Sequence, residues 1–218
     1  MTMKADLETL TARTLAHYNA GAASFKEGTW THDVSQNYRA LFSAIEVSAP
    51  YTLLDFGCGP GRDLTFFRDE GHRATGLDGA IEFVRMAREA TGCEVLHQNF
   101  LELSLPPAQF DGVFANASLF HVPTSELAKV LGDLFATLKP GGVLFCSNPR
   151  GLDKEGFSGE RYGAYHTLET WTLHVTSVGF VPVTHYYRPE GKPRNEQPWL
   201  ATVWRKPNFP AARQSEKA

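Results

Sequence analysis

Three glycines at alternating positions follow an apolar segment of the sequence. Gly57, Gly59 and Gly61 come directly after Leu53-Leu54-Asp55-Phe56 and before a helix-like stretch. Glycine tolerates positive φ angles and lets a ligand approach the backbone, so this loop is a candidate ligand site. A dinucleotide-binding fingerprint would need its third glycine where Arg62 stands. The Lys-Ser/Thr pair that ends a P-loop motif does not follow either. The spacing therefore argues against NAD and against nucleoside triphosphates.

A carboxylate ends the next apolar segment, about twenty residues beyond the loop. Adenosine-binding folds carry the acidic residue that binds the ribose at this spacing along the sequence. Gly76-Leu77-Asp78 would place Asp78 where a ribose diol can donate two hydrogen bonds to it. The loop and this carboxylate together predict an adenosine-type ligand. The alternative is that the glycines only form a tight turn and that Asp78 caps the following helix.

A histidine follows the fourth predicted strand. His121 comes five residues after Asn116, near the carboxyl end of that strand, where open α/β sheets build their sites. We therefore predict that His121 lies close to the reacting groups and that Asn116 and Ala117 line the ligand site. The alternative for His121 is a helix-start or core histidine bonded to backbone.

Arginine and aromatic residues recur in the last third of the chain. They include Arg150, Arg161, Tyr165, His166, Tyr187, Arg188 and Arg194. Guanidinium groups bind carboxylates or phosphates bidentately, and aromatic faces can flank a flat or cationic group. The recurrence predicts a small anionic ligand. The alternative for each residue is a solvated surface charge or packing on a hairpin.

The segments that must position these residues alternate between strands and helices from residue 52 onward. The predicted strands are Thr52 to Phe56, Arg73 to Leu77, Glu94 to His97, Phe110 to Ala115 and Gly142 to Ser147. The predicted helices are Asp63 to Glu70, Ile81 to Ala90 and Ser125 to Leu138. Such alternation predicts right-handed crossovers and a doubly wound α/β fold with a parallel sheet.

The two ends of the chain follow other patterns. At the N-terminus we predict a helix over Ala5 to Asn19, a loop over Gly21 to Thr31 and a second helix through Ile45, capped by Asp33 or Ser35. After a helix over Thr167 to Val178, strands at Phe180 to Tyr187 and Trp199 to Arg205 are joined by a loop too short for a crossover helix. These two strands must pair antiparallel. Residues 207–218 read as a flexible tail.

Composition sets the broad class. The 218 residues are 42% hydrophobic and 21% charged, which predicts one globular domain over residues 1–206. The 21 Lys and Arg against 24 Asp and Glu give a net charge of −3, which favours a small-molecule partner over nucleic acid. Apolar runs are too short for a membrane span, and neither the cysteines nor the histidines have metal-site spacing. We expect a cytoplasmic protein without a metal.

Several motifs together resemble class I S-adenosylmethionine-dependent methyltransferases, over roughly Tyr51 to Lys206. They are Asp55-Phe56-Gly57-Cys58-Gly59-Pro60-Gly61, Asp78, Gln98-Asn99-Phe100-Leu101, Phe110 to Asn116, and Leu138-Lys139-Pro140-Gly141-Gly142. The resemblance implies a seven-stranded Rossmann-like sheet, mostly parallel with an antiparallel last strand. It also implies a core over residues 51–206, a helical lid over residues 1–49 and S-adenosylmethionine as cofactor.

The resemblance further implies roles for individual residues. The cofactor would contact Tyr18, Asp55, Gly57, Cys58, Gly59, Gly61, Arg62, Asp78, Asn99, Phe100, Asn116 and Ala117. The acceptor would contact Tyr38, Arg150, Tyr165, His166, Tyr187 and Arg188, with His121 as the catalytic candidate. Asn99 stands where the family often has an aspartate at the adenine. For Tyr18 and Tyr38 the alternative is packing of the N-terminal helices.

These observations predict an enzyme that methylates a small, anionic metabolite by in-line displacement. Such a reaction needs a general base only when the acceptor is a protonated amine or hydroxyl; a carboxylate or thiolate needs none. The alternatives are methylation of RNA or protein, a cofactor-binding module without turnover, and an NAD dehydrogenase. An Asn/Asp-Pro-Pro-Tyr motif of amine-directed nucleic-acid enzymes is missing after the fourth strand, where Asn116-Ala117-Ser118-Leu119 stands.

Overall fold

A seven-stranded sheet lies at the centre of the computed structural model, which describes residues 2–208. Its strands are β1 (Thr52–Phe56), β2 (Arg73–Asp78), β3 (Val95–His97), β4 (Phe110–Asn116), β5 (Leu138–Pro149), β8 (Val181–Arg188) and β9 (Trp199–Arg205). They are ordered β3-β2-β1-β4-β5-β9-β8. The first five strands are parallel, and β9 runs antiparallel to both of its neighbours. The predicted doubly wound sheet with an antiparallel last strand is confirmed.

Seven α-helices accompany this sheet in the described part of the chain. They are α1 (Thr2–Ala20), α2 (Ala22–Thr29), α3 (Ser35–Ala44), α4 (Arg62–Asp69), α5 (Ile81–Thr91), α6 (Thr124–Thr137) and α7 (Leu168–Ser177). Short 3₁₀ helices cover Leu119–His121 and Arg194–Glu196. None of the helices described is long and apolar enough to cross a membrane.

One sequence prediction about local structure is wrong, and one element was not predicted. Residues 21–31 were expected to form a loop, yet α2 occupies most of them because Ala22 is buried and Phe25 packs edge-on against Tyr18. Residues 154–165 form a two-stranded hairpin, β6 (Lys154–Ser158) and β7 (Arg161–Tyr165), that the sequence analysis did not assign. The predicted tail lies outside the described residues from position 209 on.

Two apolar layers hold the sheet, one on each face. On one face α6 and α7 bury Leu127, Leu131, Leu134, Trp171 and Val175 against β4 and β5. On the other face α3 and α4 pack through Leu41, Phe67, Phe114, Phe145 and Val203. Thus α3, expected to belong to the lid, lies in the core, whereas α1 and α2 supply residues to the cavity described below.

A buried polar network joins α3 to α4 and β4. The Tyr38 hydroxyl donates to Asp63 Oδ1 at 2.6 Å, and Asn116 Nδ2 donates to Asp63 Oδ2 at 3.2 Å. The Arg62 guanidinium donates to both Asp63 oxygens at 2.7 and 2.9 Å. Asn37, fully buried, donates to Asn116 Oδ1 at 3.0 Å. The network fixes Asn116 at the end of β4 and Arg62 at the start of α4.

The substitution Tyr38→Phe should cost roughly 1.5 to 3 kcal/mol of unfolding free energy, because it removes one buried hydrogen bond to the charged Asp63. Urea denaturation should show a lower midpoint with an unchanged slope. An unchanged midpoint would mean that the bond between Tyr38 and Asp63 contributes nothing to stability.

Candidate cofactor and acceptor cavity

A cavity of about 790 Å³ opens along the carboxyl ends of the parallel strands. Its floor is formed by the glycine loop after β1, by Asp78 at the end of β2, by Asn116 at the end of β4 and by Ser147 in β5. Residues from α1, α2 and the β6–β7 hairpin complete the wall. This is the sheet edge at which open α/β folds bind their ligands.

The three loop glycines serve different purposes. A Cβ atom on Gly57 would lie 2.4 Å from Ser118 Cβ, and one on Gly61 would lie 3.0 Å from Ala87 Cα. Those two glycines are required for close packing within the protein. A Cβ on Gly59, whose φ is +53°, would meet no atom nearer than 3.8 Å, the Cε1 of Phe25. Gly59 therefore leaves space at the cavity that a side chain would fill.

Asp78 holds the glycine loop and still has acceptor capacity. Its Oδ2 accepts from the Gly59 amide at 2.9 Å, and its Oδ1 accepts from the Ala80 amide at 2.8 Å, directly before α5. Burial raises its pKa to about 6 against the opposing effect of these amides. Each carboxylate oxygen can accept a second hydrogen bond. The helix-capping alternative and the ribose-binding prediction are therefore compatible.

His121 bridges α1 and the β6–β7 hairpin. Its Nδ1 lies 2.6 Å from the Tyr162 carbonyl oxygen, and its Nε2 lies 2.8 Å from the Tyr18 hydroxyl. A carbonyl oxygen only accepts, so Nδ1 carries the proton and Nε2 accepts from the tyrosine. Burial, together with the smaller effects of Arg161 and His17, lowers the pKa of His121 to about 4 against the opposing effect of the Tyr162 carbonyl. The imidazole is therefore neutral in a single tautomer.

Two arginines on the cavity wall donate to uncharged groups, although the Arg188 charge lies near enough to Asp33 to help lower the pKa of that carboxyl. Arg188, at the end of β8, donates to the backbone oxygen of Asp33 at 2.7 Å. Arg161, at the start of β7, lies beside the Tyr18 hydroxyl and opposes the rise that burial causes in the pKa of that phenol. Among the described residues, neither guanidinium forms an ion pair with a carboxylate. Arg62, also on the wall, is paired with Asp63 at 2.7 Å.

Most of the residues predicted to contact the cofactor meet in this cavity. Its wall includes Tyr18, Gly57, Cys58, Gly59, Arg62, Asp78, Asn99, Phe100, Asn116, Ala117 and His121. Two predicted residues lie away from the wall. Gly61 packs against α5, and Asp55 is buried in β1, where desolvation and the nearby Asp63 raise its carboxyl pKa well above the usual value.

The structure brings few of the predicted acceptor residues to the cavity. Arg188 lines it, but Tyr38, Arg150, Tyr165, His166 and Tyr187 do not. Tyr38 is a core residue that stacks on Phe66 with ring centroids 3.9 Å apart. Successive residues of a strand point to opposite faces, so β8 cannot direct both Arg188 and its neighbour Tyr187 into the cavity.

The other three residues that were predicted to contact the acceptor are held outside the cavity by other contacts. Arg150 donates to the backbone oxygen of Arg194 at 3.0 Å, outside the cavity. His166 lies against Trp171 and His174 of α7, with centroids 6.1 and 5.1 Å apart. Tyr165 stacks on Phe120 at 6.0 Å. These residues follow the cavity-lining ones in sequence but are directed elsewhere by the hairpin and by α7.

Several apolar residues of the cavity wall were not predicted to be site residues. They are Leu10, Leu15, Phe83, Pro189 and Trp199. Nothing in the sequence distinguishes an apolar helix face that covers a cavity from one that packs on a sheet. The described residues contain no group of three His, Cys, Asp or Glu side chains that could hold a metal ion.

Comparison with known proteins shows which family this chain resembles. Residues 53–142 match the family model described as a methyltransferase domain. The crystal structure of the Burkholderia thailandensis 1,6-didemethyltoxoflavin-N1-methyltransferase, with bound 1,6-didemethyltoxoflavin and S-adenosylhomocysteine, superimposes with a TM-score of 0.73. It is 22% identical and covers 90% of this chain and 88% of its own. The chain therefore matches the methyltransferase-domain family over residues 53–142 and has the fold of class I methyltransferases. S-adenosylmethionine is the cofactor of this family.

Curated relatives match this chain over part of their length. The trans-aconitate 2-methyltransferase of Azoarcus sp. strain BH72 is 34% identical over 118 residues, 53% of this chain and 46% of the relative. The malonyl-[acyl-carrier protein] O-methyltransferase of Enterobacter lignolyticus is 34% identical over 106 residues, 48% of this chain and 41% of the relative. The chain thus spans less than half the length of these relatives.

The methyltransferase fold alone does not fix the reaction. The crystal structure of the [4+2]-cyclase SpnF matches with a TM-score of 0.73 at 16% identity, over 92% of this chain and 97% of its own. A cyclase and an N-methyltransferase therefore share this architecture. The reaction of the present protein must be argued from the cavity.

Proposed function

We propose that the protein transfers the methyl group of S-adenosylmethionine to a small anionic acceptor. The observation that carries the proposal is the pair of guanidinium groups, Arg161 and Arg188, which line the cavity without a carboxylate partner among the described residues. A guanidinium group can pair bidentately with a carboxylate, so a small acid in the cavity would find two charge-assisted partners. The trans-aconitate relatives, named for an organic acid, support this choice.

Strand order divides the cavity into two halves. Asp78 and the glycine loop stand at β2 and β1, and Asn99 and Phe100 follow β3, so this half would hold the adenosyl and methionyl groups. The open side of Gly59 and the spare lone pairs of Asp78 fit such a group. Arg188 and Trp199 lie at the β9–β8 side of the sheet, which would hold the acceptor, and Arg161 reaches the cavity from the separate β6–β7 hairpin, beside Tyr18. His121 and Tyr18 lie between them.

The chain has a limited part in the chemistry. When bound, S-adenosylmethionine supplies an activated methyl group on a positively charged sulfur. The protein must orient the acceptor in line with that group and exclude water. Arg161 and Arg188 would orient the acceptor, and the apolar residues Leu10, Phe120 and Trp199 would exclude water from the acceptor half.

Asp78→Asn should weaken binding of S-adenosylhomocysteine by roughly 1 to 3 kcal/mol, because the neutral amide loses charge-assisted hydrogen bonds to the ribose. Isothermal titration calorimetry of the parent and the variant measures this difference. Equal affinities would remove Asp78 from the cofactor site.

The affinity of the parent protein should also depend on pH. As the pH falls through about 6, Asp78 takes up a proton and its carboxylate charge is lost, so S-adenosylhomocysteine should bind more weakly below that pH than above it. The Asp78→Asn variant should lack this dependence. The same pH dependence in both proteins would assign the effect to another group.

A panel of small carboxylic acids, each paired with its primary amide, tests the proposed function. We expect the acids to give a kcat/KM at least about tenfold higher than the amides, measured as S-adenosylhomocysteine formed, since each charge-assisted contact contributes about 1.5 kcal/mol or more. Equal use of acids and amides would refute an anionic acceptor. Cofactor binding without turnover of any panel member or of a metabolite extract would favour a binding module.

A further inference from the structure

A chain of hydrogen bonds runs from the core to the floor of the cavity. Asp63 of α4 accepts from Asn116 at 3.2 Å, and Asn116 accepts from Asn37 of α3 at 3.0 Å. Asn37 in turn accepts from the Tyr186 hydroxyl of β8 at 2.9 Å. Asn37 is fully buried and does not line the cavity, whereas Asn116 does. The chain therefore connects a core residue to a side chain that a ligand can contact.

The carboxylate of Asp63 sets the orientation of both amides. Arg62 donates to its two oxygens at 2.7 and 2.9 Å, so Asp63 is paired as an anion that can only accept. Asn116 must therefore turn its Nδ2 toward Asp63, which turns its Oδ1 toward Asn37. An oxygen there needs a donor, so Asn37 presents its own Nδ2. One charge at the start of α4 thus determines which way the Asn116 amide faces.

The far end of the chain agrees with this orientation. The Tyr186 hydroxyl has one proton, and the Asn37 Oδ1 accepts it at 2.9 Å, nearer than the Gln36 carbonyl at 3.3 Å. A reversed Asn37 would place its Oδ1 at 3.0 Å from the Asn116 Oδ1, where the two acceptors would repel each other. Asn37 therefore holds the Asn116 amide by its oxygen, as Asp63 holds it by its nitrogen.

One N–H group of Asn116 is left over beside a guanidinium. The amide nitrogen carries two hydrogens, and Asp63 accepts one of them. The second has no acceptor among the residues that the structure describes. The Asp63 oxygen that Asn116 contacts also accepts from Arg62 Nη2 at 2.9 Å, and both donor residues line the cavity. An anionic group fits beside these two donors, and an ammonium group does not.

We infer that Asn116 donates this N–H to the carboxylate of the methionyl group of S-adenosylmethionine, and that Asn37 is a positioning residue that holds the Asn116 amide in its donating orientation. This inference rests on the proposed placement of the cofactor. The carboxylate is the one anionic group of that cofactor. Asp78 at β2 and Asn116 at β4 lie on opposite sides of β1, as the ribose and the methionyl end of a ligand along the glycine loop require.

An analogue of S-adenosylhomocysteine that lacks only the carboxylate, S-adenosyl-3-thiopropylamine, tests the carboxylate contact by calorimetric titration. We expect the parent to bind S-adenosylhomocysteine roughly 10- to 100-fold more tightly than the analogue, since hydrogen bonds to a charged group are lost. Asn116→Ala should bind S-adenosylhomocysteine about tenfold more weakly and the analogue as the parent does. Equal losses for both ligands, or no loss for either, would overturn the inference. A parent that binds neither ligand would refute the proposed function as well.

The arginines of the acceptor half are the competing partners for this carboxylate. Arg188 ends β8, and β5 and β9 lie between that strand and β4, while Arg161 belongs to the separate hairpin. Arg161→Ala and Arg188→Ala should therefore bind both ligands as the parent does. A loss for S-adenosylhomocysteine that spares the analogue in either variant would assign the carboxylate to that arginine and overturn the inference.

The role of Asn37 is tested by Asn37→Ser, which removes the donor to Asn116 without changing a residue of the cavity wall. We expect S-adenosylhomocysteine to bind about three- to tenfold more weakly, the value of one neutral hydrogen bond, and the analogue to bind as before. In an Asn116→Ala background the same substitution should have no further effect, because Asn37 acts through Asn116. Equal losses for both ligands, or additive losses in the double variant, would show a merely structural role and overturn the inference.

Two further variants control for stability. Asn37→Leu keeps the volume of the side chain and replaces Asn37→Ser if that variant does not fold, with the same expected results. Tyr38→Phe removes a bond to Asp63 Oδ1, the oxygen that Asn116 does not contact. We expect it to be less stable than the parent, as judged by thermal unfolding, and to bind both ligands equally well. A selective loss of S-adenosylhomocysteine affinity in Tyr38→Phe would mean that any weakening of the network has this effect, and it would overturn the role of Asn37.

Discussion

Gly59→Val should abolish detectable binding of S-adenosylhomocysteine while the protein remains folded. The space beside Gly59 is open to the cavity, with no atom nearer than 3.8 Å to an added Cβ, so a branched side chain would occupy volume reserved for the ligand. The φ of +53° adds backbone strain of about 1 to 3 kcal/mol, which lowers stability without unfolding the domain. Calorimetric titration and thermal unfolding measure the two effects separately.

Gly71→Val supplies the matched control for that strain. Gly71 also has a positive φ, +82°, and nothing lies within 4 Å of an added Cβ there. It follows α4, away from the cavity wall. We expect a similar loss of stability with unchanged ligand affinity. If both variants bound S-adenosylhomocysteine like the parent, Gly59 would serve the turn alone.

Arg188→Ala should raise the KM for the acid acceptor by roughly 10- to 100-fold, or about 1.5 to 3 kcal/mol, because a carboxylate would lose its bidentate partner. Arg188→Lys should give much of the same loss, since an ammonium cannot reproduce the planar fork. Cofactor affinity should not change, because Arg188 is at the end of β8, on the far side of β1 and β4 from Asp78. Steady-state kinetics with the panel acids measures both constants.

Arg194→Ala is the control for a general effect of positive charge. The Arg194 guanidinium lies 3.2 Å from the centre of the Tyr187 ring and is not part of the cavity wall. We expect the kinetics of this variant to match the parent. Equal effects of the Arg188 and Arg194 substitutions would indicate long-range attraction of the acid instead of a contact.

The residues that line the proposed cofactor half of the cavity could be predicted to lie together because their positions follow from local sequence. A strand that runs into alternating glycines, and a carboxylate at the next strand end, occupy neighbouring positions in any parallel sheet with this connectivity. Gly59 and Asp78 are joined by a 2.9 Å hydrogen bond in the structure. The strands and crossover helices were predictable for the same reason, since their apolar periodicity is local.

The acceptor half could not be predicted at the same level. Arg161 reaches the cavity because residues 154–165 fold into a hairpin, and Tyr38 leaves it because Asp63 and Phe66 hold the ring in the core. These outcomes depend on contacts between residues far apart in sequence. The fully engaged state of His121 depends likewise on Tyr18 and Tyr162, more than 100 and about 40 positions away.

Transfer of labelled methyl groups into a metabolite extract tests the central claim most directly. Purified protein is incubated with methyl-labelled S-adenosylmethionine and an extract freed of macromolecules, with the Gly59→Val variant as the inactive control. The account predicts label in compounds that bound an anion exchanger before the reaction, and none with the variant. Label confined to neutral or cationic compounds, or no transfer by a protein that binds S-adenosylhomocysteine, would contradict it.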